Sequence, residues 1–212
     1  MGEIVLDALK ETLIMVFVST TFAVILGFIP AILLTVTAND GLKPNKIIYN
    51  ILDFIVNTLR SFPFVILMVI IIPLTRLIVG KSIGTTAAIV PLTIAAAPFV
   101  ARVIESSLRE VDKGVIEAAK AFGASNFQII FKVMLKEAVP SIMSGITLTI
   151  ISIVGYSAMA GAIGGGGLGD VAIRYGYQRF QTDVMVVTCI ILIIVVQLLQ
   201  FLGNYFYNKL SK

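Results

Sequence analysis

Residues 184–207 read VMVVTCIILIIVVQLLQFLGNYFY and contain no charged side chain. An α-helix needs about 20 mainly apolar residues to cross a hydrocarbon layer roughly 30 Å thick, so this stretch is long enough to span a membrane. The whole chain has the same character, since 58% of its 212 residues are hydrophobic, 13% are charged and the mean hydropathy is +1.02. One soluble core of this size could not bury so many apolar side chains. The sequence therefore predicts a single transmembrane domain over residues 1–212.

Four further apolar runs, bounded by charges or turn residues, complete the predicted membrane domain. The predicted spans are residues 13–36, 47–79, 85–103, 142–163 and 184–207. The second is the least regular because its first half carries Asn50, Asp53 and Asn57, and we predict one long helix disturbed near Pro63. The predicted fold class is an all-α integral membrane protein with five transmembrane helices and a cytoplasmic helix-turn-helix between the third and fourth.

The basic side chains divide unequally between the two sides of such a bundle. Of the 16 Lys and Arg residues, ten fall on the side of loop 105–139 and the C-terminus and five on the other side, while the depth of Arg60 leaves it unassigned. Cytoplasmic loops carry the excess of Lys and Arg, so this loop and the C-terminus are predicted to be cytoplasmic and the N-terminus outside. The basic residues are scattered between apolar segments and not gathered on one face, which argues against nucleic-acid binding despite a net charge of +4.

Several kinds of chemistry are missing from the sequence. Histidine is absent and Cys189 is the single cysteine, so no His or Cys ligand set for a metal and no disulfide within the chain are expected. No Gly-Lys-Ser/Thr phosphate-binding loop is present. Ser157 has no evident partner base for nucleophilic catalysis. We predict a protein without catalytic residues, metal or cofactor of its own.

Loop 105–139 contains the pattern of two short amphipathic helices. The first helix has an apolar face formed by Val115, Ala118, Ala119 and Phe122. Gly123 follows where a helix end favours a left-handed residue, and Ser125 with Gln128 forms the pattern of a capping box that opens the second helix. The apolar faces pack against the membrane helices of the chain, lie in the lipid interface or bind a soluble partner, and the pattern alone leaves these possibilities open.

Seven glycines lie between Gly155 and Gly169. Glycine inside a helix costs about 1 kcal/mol relative to alanine, so the fourth helix is predicted to end near Ile163 and to be followed by a tight, mobile loop on the outer side. Close helix packing is one interpretation of these glycines. A filter in which backbone carbonyls face an ion is another, disfavoured because Asp170 is the only acidic residue nearby.

Taken together, these segments resemble the EAA-loop permease subunits of bacterial ATP-binding-cassette importers, in particular those of methionine importers. The resemblance rests on Glu117-Ala118-Ala119 followed by Gly123, and on residues 57–64 (NTLRSFPF), 87–93 (AAIVPLT) and 155–169 (GYSAMAGAIGGGGLG). It implies that the loop is a coupling helix seated in a groove of a cytoplasmic ATPase subunit. The residues implied to dock the ATPase are Glu117, Ala118, Ala119, Phe122 and Gly123.

The resemblance also implies partners and a translocation pathway. The implied assembly has a second copy of the chain, two cytoplasmic subunits that bind ATP and magnesium, and an extracytoplasmic substrate-binding protein near the glycine run, in a bacterial inner membrane. Met159 is the implied gate at the two-fold axis, with Tyr156 and Ser157 beside the pathway, although ordinary apolar packing is the simpler interpretation of Met159 from the residues alone. Arg60 either lies near the pathway or extends to the headgroups with Asp53 as its neighbour.

The predicted function is that of the membrane-spanning permease subunit of an ATP-driven amino-acid importer, with methionine as the substrate. The alternative is a self-sufficient channel or ion-coupled carrier with a glycine-rich filter. Such carriers tend to have carboxylates inside the membrane and repeated halves, and neither pattern is evident in this sequence. An intramembrane enzyme is a third possibility, disfavoured by the absence of histidine.

Overall fold

The computed structural model describes residues 2–211, whereas Met1 and Lys212, which the predicted domain includes, lie outside the described residues. The described part of the chain is helical and contains no strand. The helices are α1 (Gly2–Thr37), α2 (Lys46–Ser61), α3 (Phe64–Ile70), α4 (Ile72–Val79), α5 (Thr85–Arg109), α6 (Lys113–Ala121), α7 (Asn126–Ala162), α8 (Gly167–Val171, continued by the π-helical Ala172–Tyr177) and α9 (Thr182–Leu210).

Four of these helices, α1, α5, α7 and α9, are long and apolar enough to cross a membrane. Counting the bent pair α2 and α3 as one further span gives five. Helices are expected in these segments because the bilayer core contains no water to bind the backbone, and a helix forms the hydrogen bonds of its own N–H and C=O groups internally. The helices extend past the predicted spans at residues 13–36, 85–103 and 184–207, since those spans were bounded where the apolar run ends and not where the helix ends.

The long helix predicted over residues 47–79 is instead three helices, and the predicted disturbance near Pro63 is present. α2 and α3 meet at an angle of 102°. Pro63 explains this bend, because proline has no N–H to donate and pushes the residue before it, Phe62, into an extended conformation with ψ of 127°. A second break lies at Ile71, and Pro73 follows at the start of α4, where a proline is tolerated.

The fourth predicted span, residues 142–163, is the later part of a longer helix. α7 begins at Asn126, passes through a π-helical stretch at Ile129–Met134 and ends at Ala162. Pro140 was predicted to precede this span but lies inside the helix, as proline can in membrane proteins when neighbouring groups satisfy the freed carbonyl. The predicted end of the helix near Ile163 is correct.

α5 is the central helix of the bundle and packs most extensively against α1. The two backbones approach closely at Gly27, where an added Cβ atom would lie 2.6 Å from the carbonyl oxygen of Ala97. Small residues at such crossings let membrane helices gain dispersion energy along their length. The fully buried side chains of this core include Met15, Val16, Leu34, Leu92, Val100 and Ile104.

Interhelical contacts define two ends of the bundle. At the glycine-loop end, named for residues 163–166 between α7 and α8, the amide of Gly84 donates a hydrogen bond to the carbonyl of Gly164 at 2.9 Å. At the α6 end, Arg109 at the end of α5 meets Asp40 in the α1–α2 loop, with 3.1 Å between Nη2 and Oδ1. α1 begins at the first end and α9 finishes at the second, where Tyr207 lines a cavity with Glu110.

Candidate docking surface and translocation pathway

Local hydrogen bonds fix both ends of the segment that carries α6. The side chain of Asp112 accepts a hydrogen bond from the amide of Gly114 at 2.6 Å and caps the first turn. Gly123 has a φ of +77°, the left-handed conformation predicted for it. The predicted capping box is also present, because the Ser125 amide donates to Gln128 Oε1 at 2.8 Å and the Gln128 amide donates to Ser125 Oγ at 3.3 Å. α7 therefore starts at a defined angle to α6.

The predicted apolar residues of α6 divide between a covered and an exposed side. Ile116 and Ala119 are partly buried and pack against the main core. Val115 and Ala118 are exposed, and the ring of Phe122 is 93% exposed. The sequence placed Ala119 on the same face as these three residues because all four are apolar at helical spacing. In the structure Ala119 lies on the covered side of α6.

The uncovered apolar surface continues from α6 onto the first turn of α7. Phe127 is 66% exposed there, and its ring centre lies 4.5 Å from that of Phe131. We call Val115, Ala118, Phe122 and Phe127 the docking surface. The predicted docking residues Glu117 and Gly123 are also exposed at its edge. Exposed apolar patches mark sites that bind another protein or a membrane surface.

The Met159 face is a second uncovered surface, on α7 toward the glycine-loop end. Met159 is 48% exposed, and Gly155, one turn earlier, has no heavy atom within 4 Å of where a Cβ would be. Leu148 continues the same side of the helix and is 53% exposed. We define the Met159 face by these three residues. All three residues are exposed within residues 2–211.

Tyr156 and Ser157 have different surroundings from Met159. The ring of Tyr156 stacks on that of Phe64 at the start of α3, with ring centres 4.9 Å apart and planes 14° apart. Ser157 is 2% exposed, and its hydroxyl donates a hydrogen bond to the carbonyl of Val154 at 2.7 Å. Tyr156 therefore borders the Met159 face, whereas Ser157 points to the opposite, buried side of α7. The Phe64 contact had no signal in the sequence.

Arg60 lies in the last turn of α2 and is exposed. Its guanidinium group lies 5.8 Å from the centre of the Phe99 ring, a distance at which a cation is attracted to an aromatic face. Asp53, considered as its neighbour, is paired with Arg102 instead. Among residues 2–211, Arg60 has no carboxylate partner.

Side chains from α1 hold the start of α8, directly after the glycine loop. The amide of Gly167 donates to Glu11 Oε2 at 2.7 Å, and the amide of Leu168 donates to Thr12 Oγ1 at 2.9 Å. Gly167 and Gly169 belong to α8 and not to the loop, which is only residues 163–166 long.

A side chain at Gly161 would collide with the backbone of Gly169 and Asp170, and one at Gly169 would collide with the backbone of Ala158. In the loop itself, the carbonyl of Gly164 accepts a hydrogen bond from the amide of Gly84. These close approaches support the packing interpretation of the glycines over an ion filter.

Comparisons with known proteins agree over nearly the whole chain. A family model described as "Binding-protein-dependent transport system inner membrane component" matches residues 23–212. A probable D-methionine transport system permease protein from Vibrio cholerae is 51% identical over 210 residues, covering 99% of this chain and 93% of the relative. The methionine import system permease protein of Bacillus subtilis is 44% identical over 180 residues, covering 85% and 81%. A chain of the MetNI methionine ABC transporter in an inward-facing conformation superposes with a TM-score of 0.98 at 45% identity, covering 100% and 98%.

Proposed function

This chain belongs to the family of binding-protein-dependent transport system inner membrane components, and from that membership we propose that it is the membrane-spanning permease subunit of an ATP-driven methionine importer. The observation that carries the proposal is the superposition of the full chain on a chain of the MetNI methionine transporter at a TM-score of 0.98. The protein is a transporter component without a catalytic role. ATP and magnesium bind on separate ATPase subunits.

The docking surface is the contact with the ATPase subunit. Phe122 is the anchor, since its ring is almost fully exposed and aromatic side chains dominate the binding energy of interfaces. Ala118 allows close approach beside it, and Glu117 supplies a charge at the rim. Ala119 holds α6 against its own core, and Gly123 sets the turn that directs α6 away from α7.

A second copy of the chain covers the Met159 face. Two Met159 side chains meeting at a two-fold axis close the pathway, and their flexible thioethers repack when the subunits separate. Tyr156, braced by Phe64, lines the pathway beside the gate, and Ser157 supports the helix from behind it. The unpaired Arg60 contributes a positive charge to the pathway on the side of α6.

The α6 end faces the cytoplasm and the glycine-loop end faces outward, in a bacterial inner membrane. The asymmetry of basic residues supports this orientation, and so does a docking surface that is useful only where ATP is present. The N-terminus is then outside and the C-terminus cytoplasmic. The extracytoplasmic binding protein delivers methionine at the glycine-loop end.

The test is purification of the tagged chain from its native membrane, followed by reconstitution into liposomes. We expect an ATPase subunit to copurify and radiolabelled methionine to enter the liposomes only with ATP and the binding protein. Phe122→Ala should lower the amount of copurified ATPase about tenfold or more, whereas Leu77→Ala, which removes a similarly exposed side chain in α4, should not. Uptake by the chain alone, without an ATPase, would instead establish the channel or carrier alternative.

A further inference from the structure

We infer that Glu105 is a positioning residue that connects the docking helix α6 to α2, the helix that carries Arg60. The inference rests on the proposed function, because it gives Glu105 a part in passing ATPase movement to the pathway. Glu105 does not touch substrate or nucleotide in this role. It acts through the arginines on either side of it in α5.

Glu105 is 3% exposed and is the one carboxylate among residues 2–211 that is buried to this extent. Arg102 Nη1 donates to its Oε2 at 2.7 Å, and the hydroxyl of Tyr49 donates to its Oε1 at 3.3 Å. Arg109 Nη1 lies 3.7 Å from the same Oε1. A buried carboxylate is tolerated only when it is paired in this way, so the three partners are held in place around it.

The contacts around Glu105 extend in two directions. Two side chains of α2 contact this cluster on α5. Asp53 pairs with Arg102, and Tyr49 donates its hydrogen bond to Glu105. Toward α6, Arg109 donates to Asp40 at 3.1 Å, and Asp40 lies 3.8 Å from the ammonium group of Lys113, the first residue of α6. The continuous series is Asp53, Arg102, Glu105, Arg109, Asp40 and Lys113.

Few side chains of the two connected helices are fully buried. α2 buries one residue, Val56, and α6 buries none. Replacing a buried ion pair by apolar side chains often costs no stability, so fold stability alone gives little reason for such a group at this position. Partly buried side chains such as Leu52 of α2 and Ile116 of α6 rest on the core, and the charged series adds a direct connection between the two helices. A displacement of α6 by the ATPase therefore reaches α2 through Glu105.

The experiment compares Glu105→Gln with Glu110→Gln in the complete transporter in liposomes, with its binding protein present. Glutamine keeps the size of the side chain but removes the charge that holds Arg102 and Arg109. Glu110 lies next to the end of the same helix and contacts Ser106 and Ser141, outside the series. The measured quantity is the number of methionine molecules imported per ATP hydrolysed. We expect this ratio to fall about fivefold or more in Glu105→Gln and to stay at the wild-type value in Glu110→Gln.

Tyr49→Phe is a milder second variant, because it removes only the hydroxyl that donates to Glu105. Its ratio should fall about twofold or more while assembly is unchanged, and it decides the question if Glu105→Gln does not assemble. An unchanged ratio in the assembled variant, or an equal fall in Glu110→Gln, overturns the inference. The proposed function fails by a different observation, namely import of methionine by the wild-type protein without an ATPase.

Discussion

The backbone amide of Gly167 donates a hydrogen bond to the carboxylate of Glu11 at 2.7 Å, although 156 residues separate the two in sequence. Thr12 accepts from the next amide, Leu168, at 2.9 Å. The first amides of a helix have no partner within it, and here α1 supplies those partners for α8. A negative charge is also favoured at a helix N-terminus. Glu11 therefore connects α1 to the segment that follows α7.

Glu11→Ala should lower the free energy of unfolding by about 0.5–2 kcal/mol, the usual cost of losing a side-chain cap. The midpoint of thermal unfolding in detergent measures this change. Glu3→Ala is the matched control, because Glu3 is an exposed carboxylate in the first turn of α1 and no hydrogen bond or ion pair of its side chain is seen within residues 2–211. Equal unfolding midpoints for the two variants would show that the cap contributes nothing.

Single cysteines in a Cys189→Ala background test the orientation. Cysteines at Asp40 and Lys113, both at the α6 end, should resist a membrane-impermeant thiol reagent in intact cells. Cysteines at Glu3 and Lys81 should react, because we place the glycine-loop end outside. Permeabilised cells provide the control, since all four positions are exposed and should then react. Reaction of position 113 from outside would reverse the orientation and remove the ATPase-docking proposal with it.

Gly123→Val should weaken ATPase binding by changing the turn after α6. A residue other than glycine costs roughly 1–2 kcal/mol in the left-handed conformation, and a β-branched residue is a steric outlier there. Gly123→Asn is the matched control, because asparagine accepts this conformation more readily. The amount of copurified ATPase should fall for valine and stay near the wild-type level for asparagine. Full binding and transport by the valine variant would mean that the turn geometry is unimportant.

Met159→Cys in the Cys189→Ala background tests the gate. Two copies should form an intersubunit crosslink with a short thiol reagent when nucleotide is absent, and ATP should reduce it by separating the subunits. Val186→Cys on α9 is the control, since position 186 is about as exposed but lies on a different helix. If an intact dimer formed no crosslink at position 159, Met159 would be a packing residue.

Much of the local structure follows from the sequence alone. The end of α7 near Ile163, the left-handed Gly123 and the capping box of Ser125 and Gln128 were all predicted, because each depends on the conformational preference or hydrogen bonding of residues close together in the chain. The number of spans was also predictable from the sequence, because each span depends on one local run of apolar residues. Twenty apolar residues in a row have few structural alternatives to a membrane helix.

The tertiary structure decided which surfaces are covered. Ala119 and Phe122 are both apolar at helical spacing, yet one packs on the core and the other is almost fully exposed. The sequence does not distinguish them, because the apolar pattern shows which residues share a helix face but not which part of that face lies against the rest of the chain. The partner of Asp53 is Arg102, 49 residues away, and not Arg60 on its own helix. That pairing and the burial of Glu105 depend on how α2 lies against α5, which only the packed bundle determines.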